Sequence, residues 1–170
     1  MAHHTIEVNS FEQALKEYKE YIKSLNRKLK VFTERLANRG ILIAESEVAE
    51  GYIGHIRFTT SITDTSNGYK AVMLATDLSP IVARWQTKEG IKEADVSALL
   101  MSEFGSGQFA VEGHRGTFPG QTHAFQNSWS YMDLNGNWHT TKGIRPTQPM
   151  FKAAKRMADD IVEIAREVFS

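Results

Sequence analysis

The stretch from Ser128 to Phe151, SWSYMDLNGNWHTTKGIRPTQPMF, limits the possible folds of this chain more than any other. It reads as two short strands around a tight turn, then an elbow, then the start of a helix. Trp129 and Tyr131 stand two apart, so they share one face of a strand, and Trp138 meets that strand from across the turn. Asn135-Gly136 lies between the two runs, and Asn-Gly is a strong hairpin signal because both residues tolerate positive φ. Pro146 and Pro149 bias the chain away from helix until Met150. From there Phe151, Ala154, Met157, Ile161, Ile164 and Val168 recur at helical spacing. The C-terminal third is therefore expected to be hairpin, elbow and amphipathic helix.

The other end of the chain carries the clearest helix, expected over 10–38. Phe11, Leu15, Tyr18, Ile22, Leu25, Leu29, Phe32 and Leu36 alternate steps of four and three, a regular heptad stripe. Ser10 and Gln13 suit a capping box, and Arg39-Gly40 places glycine where a helix end wants a left-handed turn. The stripe permits a coiled-coil partner. The opposite face is mostly Lys, Glu, Arg and Asn, so the expectation is that this helix lies across a sheet or helix of its own chain.

Strands are expected over 41–86. Ile41–Ala44 is a short apolar run, and 55–63 is rich in β-branched residues. A turn at 64–68 contains Asn67-Gly68, and 69–76 makes a third strand. Ser79-Pro80 breaks that strand before a short fourth at 81–86. Strand follows strand by hairpins, which predicts a largely antiparallel sheet. A shorter helix is expected over 91–104, from the spacing of Val96, Leu99, Leu100 and Phe104. The segment 105–127 has no period and reads as a long loop, of the kind that serves a function or orders on a partner. With the hairpin at 128–141 and the last helix at 149–169, the expected fold is a single α+β domain over 1–170.

Charge and composition narrow the function. Lys and Arg together count 20, as do Asp and Glu, so the net charge is zero and nothing favours nucleic acid as a specific partner. Near-neutral chains associate readily, which makes self-assembly a natural expectation. With no cysteine, disulfides and thiolate metal sites are excluded. No apolar run approaches the roughly 20 residues of a membrane helix, and MAHHTIEV lacks the regions of a signal peptide.

No residue set announces catalysis. His114, His123 and His139, near Glu112 and Asp133, are the natural candidates for metal ligands, yet no pair has the spacing of a helical zinc motif. Glu45, Glu47, Asp95 and Glu103 offer carboxylates but no spacing that marks a pair. There is no G-x-S-x-G elbow, and the Gly-rich run at 104–108 lacks the lysine of a phosphate loop. The basic cluster Arg27, Lys28 and Lys30 suits a wet helix face. The expectation is a protein with no cofactor, no metal and no active site. The alternative of another class is a small hydrolase that uses His123 or His139 with carboxylates. The aromatic residues are the better lead. Trp129, Tyr131 and Trp138 exceed what a two-stranded hairpin needs, so they pack on the helices, form an interface, or do both on different faces.

One combination of motifs resembles a known family: SEFGSG, a Gly/His-rich stretch, the aromatic hairpin SWSYMDLNGNWHTTKG, the elbow RPTQPMF and a closing helix ending AREVF. It is similar to the tail-completion or neck proteins of the gp-ten-like family of tailed phages and prophages. The match falls on Glu103, Phe104, Gly105, Gly107, Gly143, Pro146, Pro149, Met150 and Phe151, and covers the last seventy or so residues. The stretch 83–98 is longer and more helical than that family pattern. The resemblance implies a virion structural protein of the head–tail junction, assembled in the bacterial cytoplasm as a ring, commonly of six copies. Its partners would be itself and other neck or tail proteins, with DNA passing through the lumen and no membrane involved. A tail terminator or another minor tail component is the alternative of the same kind. On this reading the loop 105–127 and the hairpin make contacts between subunits, through Phe109, Phe118, Phe125, Trp129, Tyr131, Asn135, Gly136 and Trp138.

Overall fold

The first helix, α1, runs through Phe11–Ser46 in the computed structural model of the chain, which describes residues 11–79, 81–111, 123 and 125–170. At 1.5 Å per residue its 36 residues span about 54 Å. A compact chain of this length is only about 40 Å across by the usual scaling of radius with length. Such a helix must project beyond whatever packs on it. The capping box at its start involves Ser10, which lies outside the described residues.

The sequence expectation ended this helix at 38 and made Ile41–Ala44 a strand. Both are corrected: the helix passes through Gly40 and carries 41–44 as about one further turn, in which Ile43 and Ala44 are buried. The reason is packing. A Cβ on Gly40 would stand 2.2 Å from the Met157 sulfur, so glycine here admits a neighbouring helix instead of stopping its own. Ala37, Gly40 and Ala44 are all buried small residues on one seam. Small side chains carry little hydrophobic signal, which is why the stripe seemed to end at Leu36.

The neighbour is α3, Pro149–Phe169, lying antiparallel along α1. A ladder of contacts fixes its register. Lys152 and Arg156 hold Glu47 at 2.6 and 3.0 Å, Arg39 meets Asp160 at 2.8 Å, and Arg35 meets Glu167 at 3.2 Å. Phe32 and Phe169 then pack 6.0 Å apart, and Lys28 donates to the Ser170 carbonyl. Surface pairs of this kind are worth only tenths of a kcal/mol to about 1 kcal/mol each, so the seam of small residues supplies the adhesion and the charges set the alignment.

Strands β1 (Ile56–Thr65) and β2 (Gly68–Asp77) form a hairpin whose inner face covers the C-terminal half of α1. Phe58 joins Ile43, Ala44 and Ala153 in the core, flanked by Ile56, Met73, Ala75 and Met150. The second sheet has the order β4-β3-β5-β6, with β3 at Ile81–Thr87, β4 at Gly90–Val96, β5 at Trp129–Met132 and β6 at Trp138–Thr141. Every pairing is antiparallel, as expected. The join between β3 and β5 is a single residue pair, Gln86 with Met132, so the aromatic hairpin is nearly an independent ribbon.

The helix expected over 91–104 is half strand. Gly90–Val96 pairs along all of β3, and only Ala98–Phe104 is helical (α2). Lys92, Glu93 and Ala94 favour helix locally, yet pairing overrides them: Ile81 opposes Val96, and Arg84 meets Glu93 at 3.2 Å. Thr87 closes the turn, its hydroxyl accepting from the Glu89 N–H and donating to the Gly90 carbonyl. The supposed excess of helix at 83–98 is thus a hairpin. Ser97 caps α2, accepting from the Leu100 N–H and donating to Asp77, whose other oxygen takes the Leu99 N–H. That ties α2 to the end of β2. No helix among the described residues is long and apolar enough to cross a membrane.

Candidate functional site

The Glu-Phe-Gly-Ser-Gly segment and the Gly-Ile-Arg-Pro elbow lie almost forty residues apart in sequence and interlock in space. Ser106 donates its N–H to the Ile144 carbonyl at 2.9 Å and accepts the Ile144 N–H on its hydroxyl at 3.0 Å. The Gln108 N–H reaches the Lys142 carbonyl at 3.1 Å. The backbones approach so closely that side chains are excluded. Gly143 has φ 103°, and a Cβ there would fall 2.2 Å from the Ser106 carbonyl oxygen. Gly107 has φ 60°, and its Cβ would strike both the Lys142 carbonyl, at 2.3 Å, and the Trp129 ring, at 2.7 Å. Glycine is required at both positions on two counts, conformation and space.

Glu103 then joins this lock to α3. Its two carboxylate oxygens accept the N–H groups of Met150 and Phe151, each at 3.0 Å. These are among the donors a helix start leaves orphaned. Gln148, the residue at the cap position, is left-handed (φ 56°) and makes no capping bond of its own. A carboxylate from α2 therefore does the work of a local cap and meets the positive end of the helix dipole. The Ser102 carbonyl takes the N–H groups of Thr147 and Gln148, both at 2.9 Å, and Pro149 is fully buried at the first helical position. Pro146 abuts Gly105. The residues grouped by the family resemblance, Glu103, Gly105, Gly107, Gly143, Pro146, Pro149, Met150 and Phe151, thus form one connected junction. Phe104 joins it through its carbonyl, which accepts the Val111 N–H.

The aromatic hairpin rises from that junction. Trp129 lies against Gly107 on one side and stacks on His123, centroids 4.4 Å apart and nearly parallel. Phe109 is covered by the Arg145 guanidinium at 4.2 Å, a cation–π contact. Phe125, half exposed, has a left-handed backbone (φ 62°) held by its N–H to the Gly107 carbonyl. These expected interface residues therefore serve first as packing for the lock. Phe118 lies outside the described residues, as do His114 and Glu112.

At the tip the turn chemistry differs from the Asn-Gly expectation. Only Gly136 takes positive φ, at 86°, while Asn135 does not. Asp133 organises the loop. Its carboxylate accepts the N–H groups of Asn135 and Asn137, the Asn137 amide and the His139 ring. The His139 bond and then the Asn137 backbone bond hold the Asp133 carboxyl well below the usual carboxylate range. His139 also stacks on Tyr131, its cross-strand partner. Trp138 pairs instead with Met132, so it lies on the opposite face from Trp129 and Tyr131, and it is 72% exposed. Sequence reasoning missed Asp133 as a turn organiser, although Asp two residues before Asn is a common turn signal.

His123 bonds the Gln126 side chain and stacks on Trp129, while His139 is committed to Asp133. Among the described residues no three His, Cys, Asp or Glu side chains converge to hold a metal ion. What the site displays is apolar: Trp138, Leu134, Phe125 and Phe151 all stand about half exposed or more. No known protein family, curated protein or solved structure matches this chain.

Proposed function

We propose that this chain is a self-assembling structural subunit of a tailed-phage head–tail junction, a tail-completion or neck ring protein, and not an enzyme. The observation that carries the reading is the disproportion between its core and its display. Among the described residues the buried hydrophobic side chains are Ala37, Ile43, Ala44, Phe58, Ala98, Ala153 and Val168, four of them alanine. Large apolar residues such as Trp138, Ile53, Leu42 and Leu74 meanwhile stand more than half exposed. Apolar display on this scale marks surfaces that other chains cover. The motif residues of the resemblance supply a second support, since they form one connected junction that carries the aromatic hairpin. A ring fits such a subunit because heterologous contacts close without self-complementary patches. The virion, the neck or tail proteins above and below, and a lumen through which DNA passes all belong to this proposal.

The test is light scattering over a concentration series with wild type and Trp138→Asp. The expected result is a discrete ring-sized species for wild type, lost in the variant while the melting temperature stays put. Proteolysis in 105–127 should also be slower in the assembled form. Identical assembly by both proteins, with equal cutting, refutes the hairpin interface, and a strict monomer that also fails to join isolated neck components refutes the reading as a whole.

A further inference from the structure

Among the described residues, the N-terminal half of α1 carries an apolar stripe that no other element covers. The contacts that align α3 on α1 run from Glu47, held by Lys152, to Lys28, which donates to the Ser170 carbonyl. The stripe continues outward as Leu25, Ile22, Tyr18, Leu15 and Phe11, with Phe11 81% and Tyr18 61% exposed. It keeps the same alternation of three and four as the part that α3 covers, the pattern of a helix made to pair with another helix.

The flanking charges indicate which helix. With Phe11, Tyr18 and Leu25 at one apolar position of the heptad and Leu15 and Ile22 at the other, the residues beside the stripe are Glu12 and Lys19 on one edge and Ala14 and Tyr21 on the other. In a parallel pair each edge faces the opposite edge, which sets Ala14 against Lys19 and forms no ion pair. In an antiparallel pair each edge faces itself. Phe11 then lies over Ile22 of the second copy, Leu15 over its Tyr18, and Glu12 over its Lys19, each contact made twice about the two-fold axis. Tyr21 covers Ala14 of the second copy on the far edge, so bulk meets space. The apolar layers span about 18 Å of helix.

We propose that the projecting half of α1 pairs antiparallel with the same segment of a second copy, with the two-fold axis between residues 16 and 17. The contact is isologous and closes at two copies. It is independent of the neck reading, whose ring needs a different, heterologous surface.

The absence of cysteine in the chain makes the test clean, because one introduced thiol is the only one present. Full-length Phe11→Cys and Ile22→Cys proteins are mixed under mild oxidation and the disulfide-linked species resolved. The pairing predicts a cross-link between the two variants and none for Phe11→Cys alone. In parallel, sedimentation equilibrium reads the dimer constant of Glu12→Lys, expected to weaken about tenfold as two attractive pairs become repulsive. Adding Lys19→Glu to that variant restores the affinity, which a merely unfolded helix would not do. A Phe11–Phe11 cross-link, failure of the double variant to recover, or a monomer at about 0.5 mM, well above the micromolar range of specific contacts, overturns the proposal. A ring-sized species lacking the Phe11–Ile22 cross-link overturns it too, and leaves the neck reading standing.

Discussion

Replacing Glu103 by alanine tests whether α3 is started from outside itself. The substitution removes both acceptors for the Met150 and Phe151 N–H groups, and Gln148 makes no capping bond that could stand in. Losing a capping side chain costs about 1 kcal/mol. Losing a carboxylate at the positive end of a helix costs about 0.3–1 kcal/mol more. Met150 is half buried, so its N–H is not freely taken up by water. The expected loss is therefore about 2 kcal/mol, within the range for charge-assisted bonds left unmade. Glu103→Gln keeps one oxygen and the shape, and should lose about half as much. With a urea slope of about 2 kcal/mol/M, Glu103→Ala moves the midpoint down by about 1 M. Urea titration followed by circular dichroism measures this, and hydrogen exchange at Met150 and Phe151 locates it. A midpoint within about 0.2 M of wild type, with both amides still protected, would show that water or the local chain satisfies α3 and that the bridge is incidental.

Four further outcomes follow from the same structure. Gly143→Ala should cost more than about 3 kcal/mol, because the new Cβ meets the Ser106 carbonyl in addition to the φ strain, whereas Gly136→Ala, with open space around it, should cost only about 1 kcal/mol; equal losses by thermal melting would remove the close-approach argument. Thr147→Val should be neutral or stabilising by up to about 1 kcal/mol, since the Thr147 hydroxyl is buried with no partner among the described residues, and a clear destabilisation would reveal a bond to buried water. The Asp133 carboxyl is depressed on folding, so its contribution is complete above the ordinary carboxylate value of about 4 and fades only as pH falls further towards the folded value. Carbon-detected NMR should accordingly show no Asp133 titration between pH 7 and 4, and a midpoint near 4 would deny the His139 and Asn137 bonds. Gly40→Leu should separate α3 from α1, because even one added carbon meets Met157, and a melting temperature unchanged by that variant would refute the seam.

The helices at the two ends, the antiparallel strands over 56–87 and the hairpin at 128–141 were legible in the sequence because their signals are local. The heptad stripe of α1, the β-branched run of β1 and the turn glycines each act within a few residues of themselves. The motif residues Glu103, Gly105, Gly107, Gly143 and Pro146 were also visible as a group, but not what they do. The meeting of Gly107 with Lys142, and of Glu103 with Met150, is a contact across some forty residues that no periodicity encodes. Three features were decided by tertiary structure alone. Gly40 continues a helix because Met157 needs the space. Gly90–Val96 is a strand because β3 offers it an edge. Trp138 faces away from Trp129 because Gly136 alone absorbs the positive φ and sets the register that pairs Trp138 with Met132. The sequence by itself determined which segments have a preferred local conformation. Where that preference was weak, as at glycine, alanine and short charged runs, packing chose, because a contact worth a few kcal/mol outweighs propensities of about one.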